Sequence, residues 1–186
     1  MMDERVLDNC LRGDEAAYEE LLNIHKNRIF SFILRFAAAP EDAEDIAQTV
    51  FLKVFANLAS YDRRRPFMTW LFAIAHNCCM DHLRKKRPEQ LSLDDEERPL
   101  EIEDPSSSTE AAAARNFEHE EAEALLARLP PLYREALLLQ YREGMGCSEI
   151  AAVLGVPEGT VKARLFRARA LLMKKMQPAG TGGRIT

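Results

Sequence analysis

Apolar residues recur at three- and four-residue intervals along much of the chain, the spacing that lines one face of a helix. Over residues 5–38 the stripe is Tyr18, Leu21, Leu22, Ile29, Phe32, Ile33 and Phe36. Gly13-Asp14 interrupts it, with Asp14 the expected N-cap of the helix that follows. Ala39-Pro40 closes this part, because a residue before proline disfavours helical backbone. A second helix is predicted from about Glu41 to Leu58, burying Ala43, Ile46, Ala47, Val50, Phe51, Val54 and Leu58. Its far side displays Asp45, Gln48, Leu52 and Phe55. Leu52 and Phe55 suit either a docked partner helix or packing on residues 5–38. Residues 59–68 read as a loop, and a third helix follows from Thr69 to about Lys86. Thr69 is its expected N-cap, and Leu71, Ile74, Ala75 and Cys78 its buried stripe.

The periodicity lapses from Pro88 to about Thr109, where Pro88, Pro99, Pro105 and a serine run break any helix. Such a segment buries too little apolar surface to offset its ordering and reads as a flexible linker. Helical patterning resumes over Glu110–Leu129, Pro131–Arg142, Cys147–Leu154 and about Glu158–Met176. Residues 177–186, with three glycines and a proline, read as a disordered tail. The expected architecture is all-α: domains over 5–87 and 110–176, a linker over 88–109 and a short tail.

The last two helices have the layout of a helix-turn-helix. Gly155 supplies a left-handed C-cap, Val156 plugs the angle between the helices, and Pro157 suits the opening turn of the second. At about 100° per residue, Val161, Leu165, Ala168 and Leu172 fall within roughly 60° of one another as the buried stripe. The opposite side presents Thr160, Ala163, Phe166 and Arg167, flanked by Lys162, Arg164 and Arg169. A basic face with small residues can enter a major groove. Lys162 and Arg167 are candidates for base edges, and Arg164 and Arg169 for phosphates.

Charge sharpens this picture. The formal net charge of −5 argues against nucleic acid, but the average hides a segregation. Arg84 to Arg87 carries +4 with no acid, and Gly159 to Met176 carries +6 with no acid. Between them, Pro88 to Ala111 has nine acids against Arg98. Two basic elements flank an acidic spacer, and local charge governs contact with phosphate. In the first basic helix Trp70, Asn77 and Arg84 stand seven apart in one row. A ring to stack, an amide to read an edge and a cation to hold phosphate suit unpaired bases, with Phe67 and Met68 able to wall a pocket. The alternative is that Trp70 and Phe67 belong to the core.

Other chemistry is poorly represented. The four cysteines, Cys10, Cys78, Cys79 and Cys147, form no CxxC pair. Cys78, Cys79, His76 and His82 spread over roughly 160° of one helix, too wide for a closed zinc site. Neither a metal nor a cofactor is expected. Met1-Met2-Asp3-Glu4 has no signal-peptide character, and no stretch approaches the roughly 20 apolar residues of a membrane span. A reducing cytosol and free thiols are the expectation.

Three blocks resemble the extracytoplasmic-function (group IV) sigma factors, the minimal two-domain subunits that direct bacterial RNA polymerase to promoters. They are Asp42-Ala-Glu-Asp-Ile-Ala-Gln-Thr-Val-Phe-Leu-Lys-Val54, Pro66-Phe-Met-Thr-Trp-Leu-Phe-Ala-Ile-Ala-His-Asn77 continuing to Arg87, and Leu129 to Leu139 with Ile150 to Arg169. The resemblance implies that Asp45, Gln48 and Leu52 contact the clamp of core RNA polymerase. It implies that Phe67, Trp70 and Asn77 shape a pocket for a flipped base of the −10 element, while Arg84 and Lys85 track the strand. It places Lys162, Ala163, Phe166 and Arg167 at −35 contact positions, although Ala163 is often serine in the family, so one polar contact is absent. An anti-sigma factor that clamps both domains is the further partner implied. A stand-alone regulator sharing the helix-turn-helix would not need the block from Phe67 to Arg87 and would bind duplex DNA without polymerase. A small metal or redox protein would need ligand spacing that this chain lacks.

Overall fold

The structure, a computed structural model, describes residues 2–37, 39–86, 124–126 and 128–176. The predicted linker, the predicted tail, Arg87 and most of the helix expected over Glu110–Leu129 lie outside the described residues; of that helix, residues 124–126 are helical. Among the described residues the regular secondary structure is all helical. The helices are α1 (Met2–Leu11), α2 (Glu15–Ile33), α3 (Pro40–Asn57), α4 (Phe67–Lys86), α5 (Pro131–Tyr141), α6 (Cys147–Leu154) and α7 (Glu158–Met176). The chain divides into two compact units, one containing α1–α4 and the other containing α5 and α7.

In the first unit the break at Gly13 is real. Gly13 has φ 83°, and Asp14 caps α2 by accepting the Ala16 N–H at 3.0 Å. Pro40 opens α3, where its missing N–H costs nothing. Val6, Leu21, Ile29, Ile33, Val50, Val54, Leu71 and Phe72 are buried together as the core, with Phe32 edge-on to Phe72 at 5.1 Å. Phe55 resolves toward the core: its ring meets Tyr18 of α2 at 5.0 Å, so of the two apolar residues on the far side of α3 only Leu52 stays open. The buried face of α4 is broader than one stripe, taking in Phe72 and Cys79, while Ile74 is half-buried.

Two boundaries differ from the sequence expectation. A 3₁₀ turn, Leu58–Ser60, follows α3, and α4 begins at Phe67 rather than Thr69. The Pro66 carbonyl accepts the N–H groups of Thr69 and Trp70, so Thr69 lies inside the first turn and is buried instead of capping. The loop between is held by charge. Arg63 pairs with Asp8 of α1, and the Arg64 guanidinium donates to both oxygens of Asp62 at 2.8 and 2.9 Å. These bonds pull the Asp62 carboxyl down to about 2.

In the second unit α5 packs on α7. Tyr133, Ala136, Leu137, Leu139, Ile150, Val161, Leu165 and Ala168 are buried, and Leu172 is half-buried at the edge of its predicted stripe. Glu149 accepts the Gly146 N–H at 3.0 Å at the start of α6. Gly155 ends α6 in the left-handed region, at φ 67° and ψ 31°, and the Ala151 carbonyl accepts the N–H groups of Gly155 and Val156. Pro157 sits one residue before α7, its carbonyl accepting from Thr160 and Val161.

Gly155→Ala is expected to destabilise the second unit by about 1 kcal/mol, because the added Cβ meets no atom and only backbone strain remains. Thermal unfolding should show a Tm lowered by about 4–8 °C; an unchanged Tm would contradict the strained turn. The Asp62 carboxyl has a folded pKa below its ordinary 3.8, so its contribution is complete above that value and lost as pH falls through about 2. A carbon-13 NMR titration should place its midpoint near 2, and Arg64→Ala should move the midpoint back toward 3.8.

Candidate nucleic-acid interface

Antiparallel packing of α3 and α4 builds the first candidate surface. Asp42 at the start of α3 faces the end of α4, pairing with Lys86 and lying 3.7 Å from His82. The Lys86 hydrogen bond holds the Asp42 carboxyl below the usual range, aided by the charges of Lys86 and His82. Lys53, further along α3, reaches Asp81 of α4 at 3.8 Å. Burial raises the Cys78 thiol, opposed by the charge and hydrogen bond of Lys53.

At the other end of this helix pair lies a concavity of about 240 Å³ lined by Lys53, Asn57, Ser60, Trp70, Ile74 and Asn77. Both sides have the same register. Lys53, Asn57 and Ser60 follow an i, i+4, i+7 row, and so do Trp70, Ile74 and Asn77. Trp70 offers a half-buried ring that meets Tyr61 in a tilted contact at 5.2 Å, and Asn77 an exposed amide. The opposite wall is polar and locally fixed: the Asn57 amide donates to the Lys53 carbonyl at 2.7 Å, and the Ser60 hydroxyl to the Asn57 carbonyl at 2.7 Å. An apolar plate facing hydrogen-bonding groups is the arrangement that holds a planar heterocycle.

Trp70 and Asn77 therefore come together as the sequence indicates, whereas Phe67 and Arg84 do not join them in the lining. Phe67 is only 6% exposed and packs behind Trp70 at 5.7 Å, also touching His25 and Tyr61. It props the plate from the core side. Arg84 is exposed in the last turn of α4 and paired with Asp81 at 3.2 Å, with Lys85 exposed beside it. Lys53, Asn57 and Ser60 escaped the sequence reading. Their helical spacing is legible in retrospect, but nothing in a single helix tells which partner that row will face.

On α3 the residues Asp45, Gln48 and Leu52 are exposed along one line, with Leu52 69% open to solvent. On α7 the residues opposite the buried stripe differ in exposure. Lys162, Ala163 and Arg169 are exposed, and Thr160, Arg164, Phe166 and Arg167 are half-buried around them. Lys162 pairs with Glu158 at 2.8 Å, which raises the lysine, although an exposed i, i+4 pair of this kind is weak. Among the described residues no cluster of three or more His, Cys, Asp or Glu could hold a metal ion, and no helix is long and apolar enough to cross a membrane.

The two surfaces coincide with two family matches. Residues 21–89 match Sigma-70 region 2, and residues 119–172 match Sigma-70, region 4. The chain is 31% identical over 185 residues to the ECF RNA polymerase sigma factor SigW of Bacillus subtilis, spanning 95% of this chain and 98% of that protein. It is 32% identical over 182 residues to the RNA polymerase sigma-H factor of Pseudomonas aeruginosa, spanning 95% and 94%. In three dimensions it is similar to CnrH, solved with the cytosolic domain of CnrY, at a TM-score of 0.66 and 25% identity over 96% and 99% of the two chains. It is also similar to the sigma factor RpoE of Bartonella quintana, solved with the anti-sigma factor NepR, at a TM-score of 0.63 and 25% identity over 87% and 98%. With helices α3 and α4 in the region that matches Sigma-70 region 2, and a helix-turn-helix in the one that matches region 4, the chain belongs to the extracytoplasmic-function sigma factors of bacterial RNA polymerase.

Proposed function

We propose that the two surfaces meet one promoter at separate points while the chain is mounted on core RNA polymerase. The line Asp45, Gln48 and Leu52 is the polymerase face, α7 docks on the −35 duplex, and the concavity between α3 and α4 takes an unpaired base of the −10 element. The domains are residues 5–87 and 110–176, joined by the acidic linker 88–109. The concavity carries this assignment, because a stacking ring and an amide placed opposite fixed polar groups match an extruded base better than a duplex. Capture of such a base offsets the few kcal/mol that unpairing costs. Arg84 and Lys85 extend from the same helix to hold the strand's phosphates, and Phe67 acts through Trp70. On α7, Lys162 and Arg167 reach base edges beside Ala163, Phe166 and Thr160, with Arg164 and Arg169 on phosphates. The chain supplies no bond chemistry of its own, which belongs to the polymerase, and it works in the cytoplasm. An anti-sigma factor is its proposed inhibitor, as the solved complexes of CnrH with CnrY and of RpoE with NepR support.

Leu52→Arg should leave folding intact, since the side chain is 69% exposed, yet weaken binding to core polymerase by roughly tenfold or more. Co-sedimentation with core enzyme checks this, and wild-type affinity would remove Leu52 from the interface. Arg167→Ala should lower −35 discrimination by about 1–3 kcal/mol. Asn77→Ala should cut open-complex formation roughly 3- to 10-fold while duplex docking persists. Permanganate footprinting beside a gel-shift assay separates the two effects, and variants that open and dock like wild type would refute the residue roles.

A further inference from the structure

The end of α5 carries a large aromatic with no core to fill. Tyr141 is 64% exposed, and Gln140 beside it is half-buried. Both hold Arg169 of α7. Its Nε donates to the Tyr141 hydroxyl at 3.2 Å, its Nη2 donates to Gln140 Oε1 at 2.9 Å, and its guanidinium carbon lies 5.9 Å from the centre of the Tyr141 ring. Nε and Nη2 form one edge of the planar guanidinium, so this edge is committed to α5. The other edge, with Nη1 and the second Nη2 hydrogen, donates to no described residue. The Tyr141 hydroxyl accepts from Nε and so keeps its own proton to give.

Arg169 lies seven residues beyond Lys162, on nearly the same side of α7 and about 10 Å further along its axis. Base edges are met by the N-terminal part of a recognition helix, and a cation two turns down its exposed face is placed for the backbone. A guanidinium fork and a phenol O–H side by side can serve two oxygens of one phosphate. Because Gln140 and the ring already fix the guanidinium, little side-chain freedom remains to be lost on contact.

We propose that Tyr141 is a DNA-backbone contact, and that with Arg169 it forms a prebuilt clamp for a single phosphate of the −35 duplex, aligned by Gln140 as a positioning residue. This rests on docking of α7 to duplex DNA, and it adds α5 to the DNA-facing surface. The simpler alternative is that the three side chains only staple α5 to α7.

The test uses the full chain with core polymerase and a promoter duplex that this holoenzyme selects from a random library. Uncharged methylphosphonate is walked through the upstream element one phosphate at a time, and affinity is measured by competition. One position should weaken wild type by about tenfold and cause no further loss in Arg169→Ala, which is already weakened to a similar degree. Tyr141→Phe, which keeps the ring, should lose roughly threefold, with a smaller further loss at that same position and an unchanged Tm. Gln140→Ala should give an intermediate loss at that position, largely recovered in Gln140→Glu, which keeps an acceptor for Nη2. A lowered Tm with penalties that simply add to methylphosphonate at every position would reduce the trio to a staple and overturn the clamp. Wild-type behaviour of Tyr141→Phe at every position would overturn the tyrosine contact. Failure to select any duplex with core enzyme would sink the docking assignment and the clamp with it, whereas selection with uncoupled penalties sinks the clamp alone.

Discussion

The antiparallel seam between α3 and α4 is the constraint on which the first unit's chemistry depends. Val50 and Val54 on one helix and Leu71, Ala75 and Cys78 on the other are buried, and Asp42 ties the start of α3 to the end of α4. That packing brings a polar row from α3 and the turn after it opposite an aromatic and amide row of α4, and neither row forms the concavity without the other. It also commits the inner face of α3 and leaves its outer line exposed. An exposed Leu52 costs this chain little by itself, but it offers apolar area to a surface that can bury it.

The second unit achieves its geometry with fewer parts. A left-handed glycine sets the turn between α6 and α7, and the buried Val161, Leu165 and Ala168 decide which side of α7 points outward. The basic face follows from that rotation. Charge then acts locally: the acids that make the chain negative overall lie mostly between the two basic elements in sequence, so each basic face retains its own field. In general, a low net positive charge limits nonspecific affinity for DNA, and two linked contacts add avidity when both can engage at once.

Periodicity made the helices legible because burial of one face is a property of a single helix. The stripe of α3, the cap at Asp14 and the turn at Gly155 were each readable from a few consecutive residues. Pairings between helices were not. Whether Phe55 faced a partner or Tyr18 depended on where α2 lay, and the core position of Phe67 depended on His25 and Tyr61 closing over it. Thr69 had the chemistry of an N-cap, but the Pro66 carbonyl served the first turn and the threonine was drawn inside. Lys53, Asn57 and Ser60 were missed for the same reason: a polar row on a helix end reads as solvated surface until a second helix supplies Trp70 and Asn77 across from it. The family resemblance filled part of this gap, since a shared fold carries pairings that no single stripe contains.

As a sigma factor, this chain directs core RNA polymerase to promoters. The most direct measurement is in vitro transcription from a randomised promoter library, with start sites sequenced in the presence and absence of the purified chain. Transcripts should require the chain and start downstream of one shared pair of motifs. Transcripts independent of the chain, or chain-dependent ones with no common upstream sequence, would contradict it.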